Sequence, residues 1–76
     1  GFVTYPNPCI DQLNIYVDAT TISSYQIIDN LGNIVLSNDV NNKKIVKVNT
    51  SKLSSGLYSV NVVTPIGKVQ KNIIIQ

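Results

Sequence analysis

Apolar and polar positions alternate along much of this 76-residue chain with a period of two, the period of a β-strand with one face on a core. Leu13, Ile15 and Val17 lie on one side of a run whose other side holds Asn14 and Tyr16. Tyr58, Val60 and Val62 alternate in the same way with Ser59 and Asn61. Further strands are expected at Phe2 to Tyr5, Ser24 to Asp29, Asn33 to Asn38, Lys44 to Asn49 and Lys68 to Ile75, about seven in all. Gly1 to Thr4 reads either as the end of an upstream linker or as the start of the first strand.

Turn chemistry separates these runs. Asp29-Asn30-Leu31-Gly32 and Thr64-Pro65-Ile66-Gly67 share one plan, a type I turn closed by a glycine at positive φ, which predicts two hairpins with a G1 bulge. Pro65 suits the second position of its turn because the ring fixes φ. Thr50 to Ser55 is polar apart from Leu53 and predicts a loop that tucks Leu53 beneath a sheet, whereas Asp39 to Lys43 reads as a polar, mobile connection. These elements predict one domain over residues 1–76, a single antiparallel β-sandwich, immunoglobulin-like in size and strand count but without the Cys…Trp…Cys signature of antibody domains.

Composition narrows the function. Isoleucine and valine dominate, alanine occurs once and glutamate is absent, so there is little from which to build helices. A chain this short buries about 60% of its unfolded surface, which makes its stability modest. Cys9 stands alone between Pro8 and Ile10, which excludes a disulfide framework or a multi-cysteine zinc site and reads as a small apolar side chain. The net charge of +2 comes from six lysines against four aspartates, with no arginine, so nucleic-acid binding is not expected. The lysines read as edge protection and solubility. No apolar run reaches the roughly 18 residues of a membrane span. With no histidine, and with Asp11, Asp18, Asp29 and Asp39 at strand ends or turns where they can cap backbone amides, neither catalysis nor a metal or other cofactor is expected.

Three strings remain: Tyr5-Pro6-Asn7-Pro8, Leu53-Ser54-Ser55-Gly56-Leu57-Tyr58, and the final Lys71-Asn72-Ile73-Ile74-Ile75-Gln76. In this order and spacing, with Leu13-Asn14-Ile15 after the first and the Asp29 to Gly32 turn between, the chain from Tyr5 to Gln76 resembles the type A C-terminal sorting domain of proteins exported by the Bacteroidetes type IX secretion system. The resemblance implies a folded signal, carried behind an N-terminal cargo domain in the same parent chain, that directs the cargo through the periplasm and across the outer membrane. It further implies that the translocon and an outer-membrane shuttle protein read the signal, and that a cell-surface sortase then removes it by cutting upstream of Tyr5. The cargo is anchored at the surface or released. An exported parent needs a signal peptide elsewhere, so the chain reads as the end of a longer protein. The family pattern falls on Pro6, Asn7, Pro8, Gly56, Tyr58, Gly67, Lys68, Lys71, Ile73, Ile74, Ile75 and Gln76. It departs from the pattern at Asn72, where a second basic residue is frequent, and at Cys9, where a plain hydrophobic residue is usual.

Each string also has a reading in terms of folding. Pro6 and Pro8 cannot donate backbone hydrogen bonds and make a stiff bend, which is compatible with a docking role. Gly56 either relieves crowding at a tight corner or lets another backbone approach, and Tyr58 reads as a core ring with its hydroxyl at the sheet margin. Ile73-Ile74-Ile75 is apolar on both faces. Either the strand is covered on both sides, or Ile74, out of phase with Lys71, Ile73 and Ile75, stays exposed for a partner. An exposed strand of this kind also suggests a strand-exchanged homodimer. Two other readings compete with sorting. A carbohydrate-binding or adhesive module of a secreted enzyme would present aromatic rings, of which only Tyr16 is a good exposed candidate, and a plain spacer domain of fibronectin type III character would predict that sequence could continue after Gln76.

Overall fold

A computed structural model describes residues 1–76. Its strands are β1 (Phe2–Tyr5), β2 (Gln12–Val17), β3 (Ile22–Asp29), β4 (Ile34–Lys43), β5 (Ile45–Asn49), β6 (Gly56–Thr64) and β7 (Gly67–Ile75). They form a three-stranded sheet in the order β1-β2-β5 and a four-stranded sheet in the order β4-β3-β6-β7, and every paired neighbour is antiparallel. The expected all-β sandwich of seven strands is the architecture observed. Phe2 to Tyr5 pairs with β2 along its whole length as the first strand.

The inward members of each alternation make the core. Leu13, Ile15 and Val17 from one sheet meet Ile27, Val60, Val62, Ile73 and Ile75 from the other, within a single cluster of 13 buried residues. Full burial of an isoleucine or valine side chain stabilises by about 1.5 to 3 kcal/mol, so a cluster of this size is the main term holding so small a domain together. Cys9 belongs to it and has no exposed surface. Burial pushes its thiol above the usual range, against a smaller pull from the Thr50 hydroxyl, and the residue acts as a small apolar side chain. Leu53 packs against the same cluster from the loop after β5, where its amide donates to the Thr50 carbonyl at 3.0 Å.

Two details differ from the sequence reading. The segment from Asp39 to Lys43 is not a free connection, because β4 runs through it to Lys43, which pairs with Ile22. Polar composition hid this strand. Its one apolar residue, Val40, packs on the core, and the alternation is broken where the register shifts between Ile22 and Ser24 and where Asn42 takes a φ of 52°. The two hairpins also follow different plans. At Asp29 to Asn33 the Asp29 amide donates to the Asn33 carbonyl and the Gly32 amide to the Asp29 carbonyl, with Gly32 at φ 88°, as a G1 bulge requires. The second hairpin has no bulge. Thr64 pairs directly with Gly67 in an unbroken register, and the Thr64 hydroxyl donates to the Gly67 carbonyl at 2.7 Å.

The first hairpin is locked by a carboxylate. Asp29 Oδ1 accepts from the amides of Leu31 (3.0 Å) and Asn33 (2.9 Å), and these bonds, that from Asn33 foremost, hold the carboxyl below its ordinary range. A depressed carboxyl contributes stability above its unfolded pKa of about 3.9 and loses it as the pH falls through the folded value. The gap in urea midpoint between the native chain and Asp29→Ala is therefore expected to be open at about pH 6 and to narrow by about pH 2.5. A pH-independent gap would show that the charge plays no part. Gly32 tests the backbone of the same turn. A Cβ there meets nothing within 4 Å, so Gly32→Ala suffers only from its φ, and we expect a loss of about 1 kcal/mol in equilibrium unfolding, with Gly32→Asn losing less.

Candidate functional site

The first and last of the three sequence strings meet in space. Beyond β1 the chain bends through Pro6, Asn7 and Pro8, with cis peptide bonds before both prolines, and returns beside the end of β7. There the Cys9 amide donates to the Ile74 carbonyl at 2.9 Å and the Gln76 amide donates to the Cys9 carbonyl at 2.8 Å, an isolated parallel bridge on the outer edge of the four-stranded sheet. In a longer parallel ladder the carbonyl of residue 7 would accept from the Ile74 amide. Here the side chain does so, with Asn7 Oδ1 at 3.0 Å from the Ile74 nitrogen.

The middle string lies alongside. Gly56 pairs with Ile75, Leu57 with Ile74 and Tyr58 with Ile73. Tyr58 is buried and its hydroxyl donates to the Ser54 carbonyl at 2.7 Å, four residues back along the chain, which pins the loop to the start of β6 in the manner of a tyrosine corner. Gly56 has a different setting from either expectation. A Cβ built on it meets only Tyr58 Cε1 at 3.9 Å, an ordinary contact, so neither crowding nor a close backbone accounts for it.

Alternation sorts the terminal strand. Ile73 and Ile75 are buried, while Ile74 is 48% exposed on the outer face beside Leu57, its register partner, at 52%. Ile10, one residue past the bridge, is 68% exposed. The corner thus presents Pro6, Asn7, Pro8, Leu57, Ile74 and Gln76, an apolar surface edged by amides. Leu57 and Ile10 were not singled out from the sequence, although Leu57 sits out of phase with Tyr58 and that alone puts it outside.

The other expected residues do not join this corner. Gly67 and Lys68 stand at the opposite end of β7, about 20 to 25 Å away by strand length. Lys71 faces the gap between the sheets, where its ammonium lies 5.6 Å from the centre of the Phe2 ring and donates to the Phe2 carbonyl at 3.3 Å. A lysine assigned to solubility ties β7 to β1, an arrangement of about 0.5 to 1 kcal/mol.

If Asn7 replaces a missing ladder carbonyl, its removal has a local signature. Asn7→Ala is expected to destabilise by about 1 kcal/mol and to speed hydrogen exchange at the Ile74 amide while the Cys9 amide stays protected. Asn7→Asp keeps the acceptor and should keep the protection. Equal loss at both amides would show that Asn7 holds the whole bend and not one bond.

A family model described as the secretion system C-terminal sorting domain matches residues 3–76. No curated protein matches the chain. The match covers both proline-box and terminal-strand residues of the corner, and it favours sorting over the adhesive and spacer readings. The chain belongs to the family of secretion system C-terminal sorting domains.

Proposed function

We propose that this domain is read at the corner joining Asn7 to Ile74, as the address that sends an N-terminal cargo across the outer membrane by type IX secretion. Its readers are the translocon and the outer-membrane shuttle protein, and a cell-surface sortase afterwards cuts upstream of Tyr5 and leaves the cargo at the surface or in the medium. The observation that carries the reading is Ile74. It is a half-exposed isoleucine between the buried Ile73 and Ile75, held in place by the Asn7 amide and flanked by exposed Leu57. Folding has no need of an apolar side chain there, whereas a docking partner gains from burying it.

The same strand bears on the expected strand-exchanged homodimer. Ile74 directs its amide and carbonyl to the outer edge, so by alternation Lys68, Gln70 and Asn72 do the same. The bridge and Asn7 occupy that edge at Ile74 to Gln76, and Lys68 guards its far end, a pattern that opposes pairing with a second copy. We therefore place the monomer ahead of the exchanged dimer as the form that is read.

A reporter with its own export signal, fused ahead of residues 1 to 76 in a host with type IX secretion, is expected to reach the surface or medium and to lose the tag. Ile74→Ser together with Leu57→Ser should lower export by about tenfold or more, the equivalent of about 1.4 kcal/mol of docking energy. Ile66→Ser, at the far hairpin where Ile66 is also exposed, should leave export unchanged. Retention of the native fusion in the periplasm with its tag intact would sink the sorting role. Equal loss from Ile66→Ser would move the address away from the corner.

A further inference from the structure

The two flanks of the sandwich are finished differently. On one, the bridge at Cys9 and the Asn7 amide cover the edge of β7, and the Lys71 ammonium reaches the Phe2 carbonyl on β1. On the other, β4 passes to β5 through Lys44 alone, and both are edge strands. The Val17 amide donates to the Lys44 carbonyl and the Thr50 amide to the Asp11 carbonyl, each at 2.9 Å, and the register between them is unbroken. Alternation therefore turns the backbone of Val46 and Val48 toward β2, and that of Ile45, Lys47 and Asn49 outward. No strand stands beside those three residues. Constant-type immunoglobulin domains place a fourth strand at the equivalent edge, whereas here β4 joins the other sheet.

Side chains around this edge define what it accepts. A groove of about 570 Å³ opens beside it, lined by Tyr25, Val40 and Val46 and bordered by Lys43 and Lys47, with Asp39 the one acid. Val40 and Val46 are half-buried, so an apolar side chain entering there removes further surface from water. Lys47 is exposed and makes no ion pair, while Lys44 is engaged by the Asp18 carbonyl. A second copy fits poorly, because pairing β5 with β5 over all five residues sets Lys47 opposite Lys47. A preceding segment of the parent chain would enter at Gly1, whose carbonyl accepts from the Asp18 amide in line with β1. That point is three strand spacings, about 14 Å, from the free side of β5. An acidic strand from a separate protein meets neither obstacle.

We infer that the free edge of β5 takes an extended acidic segment of a second protein as an added strand. Its backbone pairs with Ile45, Lys47 and Asn49, a carboxylate stands opposite Lys47 on the outer face, and the residues between enter the groove over Val40 and Val46. Main-chain bonds supply affinity, while the lysine and the two valines select the sequence. The lysine that keeps copies of this chain apart thus admits a partner of opposite charge. The inference does not rest on the sorting role or on the corner, since β5 lies in the other sheet.

The test is a titration of the ¹⁵N-labelled 76-residue chain with the blocked peptide acetyl-Thr-Val-Glu-Val-Thr-Glu-amide, raised to about 10 mM, which nearly saturates a site with a dissociation constant of about 1 mM. The expected result is saturable movement of the Ile45, Lys47 and Asn49 backbone amide signals, with slower hydrogen exchange at the same three. The same peptide with lysine for both glutamates should bind about fivefold more weakly, and Lys47→Glu should reverse that preference without loss of fold, since the side chain is exposed. N-methylation of the first glutamate removes a ladder donor and should abolish binding. Unmoved signals at the three amides overturn the inference, as do equal binding of the acidic and basic peptides, equal binding of the N-methylated one, or movement that maps to β7. Protection of the three amides that grows with protein concentration before any peptide is added overturns it too, assigning the edge to a second copy. Ile74→Ser should bind the peptide like the native chain, which separates this edge from the corner.

Discussion

The parallel bridge between Cys9 and the end of β7 is the constraint on which the rest of this molecule turns. A nine-residue edge strand that finishes in three isoleucines is apolar on both faces at that end and carries unpaired backbone groups, the combination most prone to pair with another chain. The sandwich closes this edge with the segment that follows the proline box. The ladder can last only one bridge, because the bend carries the main chain away, and at the point where its next carbonyl is needed Asn7 supplies an amide oxygen instead. That is a physical reason for a polar residue between two prolines. The prolines stiffen the bend and donate nothing that would need a partner, and the amide between them reaches back to the strand.

Closing the edge also completes the core. Once the bridge is made, Cys9 enters the interior beside Ile73 and Ile75, and the Tyr58 hydroxyl holds the preceding loop against β6. Lys71 contributes from the other direction by spanning to Phe2. The start and the end of the chain are thus joined by contacts of high sequence separation, 67 residues for Asn7 with Ile74 and 69 for Lys71 with Phe2. Contacts of that kind form late and slowly, since loop-closure entropy must be overcome before they yield anything. A corner that exists only when both ends are in place is present in the folded domain and absent from the unfolded chain.

Much of the fold was legible in the sequence because period-two alternation and turn residues are local. β1, β2, β5 and the β6-β7 hairpin follow from them within a residue or two, and so does the outward direction of Ile74. The failures were at places where locality breaks down. β4 continues through Asp39 to Lys43 because Val40 finds the core and Lys43 finds Ile22, neither of which a polar run announces. The meeting of the proline box with the terminal strand was equally invisible, since nothing in Pro-Asn-Pro names its partner 67 residues away. Lys71 was misread for the same reason, its target being a ring and a carbonyl on β1.

The outer face of the four-stranded sheet is therefore divided by composition along its length. At one end the Leu57 and Ile74 pair is apolar and stands next to the bridge; in the next row Ser59 and Asn72 share a hydrogen bond at 3.2 Å, and beyond them come the amides of Gln26, Asn61 and Gln70. A face whose only task was to keep the sandwich dissolved would need charge, and this one has little: Asp39 and Lys68 at its far row, and between them and the corner uncharged polar groups together with Ile28 and Ile34, which share the row of Ser59. Neutral amides are a costly choice for solubility alone, since each must be kept hydrated or paired, but they discriminate well, because a partner lacking matching donors and acceptors leaves them unpaired. The apolar end is suited to affinity through burial, and the amide rows are suited to selectivity. Both lie on the sheet that the Asn7 clamp holds in register, so a change at Asn7 that let the end of β7 slip by one residue would turn Ile74 inward, Ile73 and Ile75 outward, and Gln70 and Asn72 away from their rows.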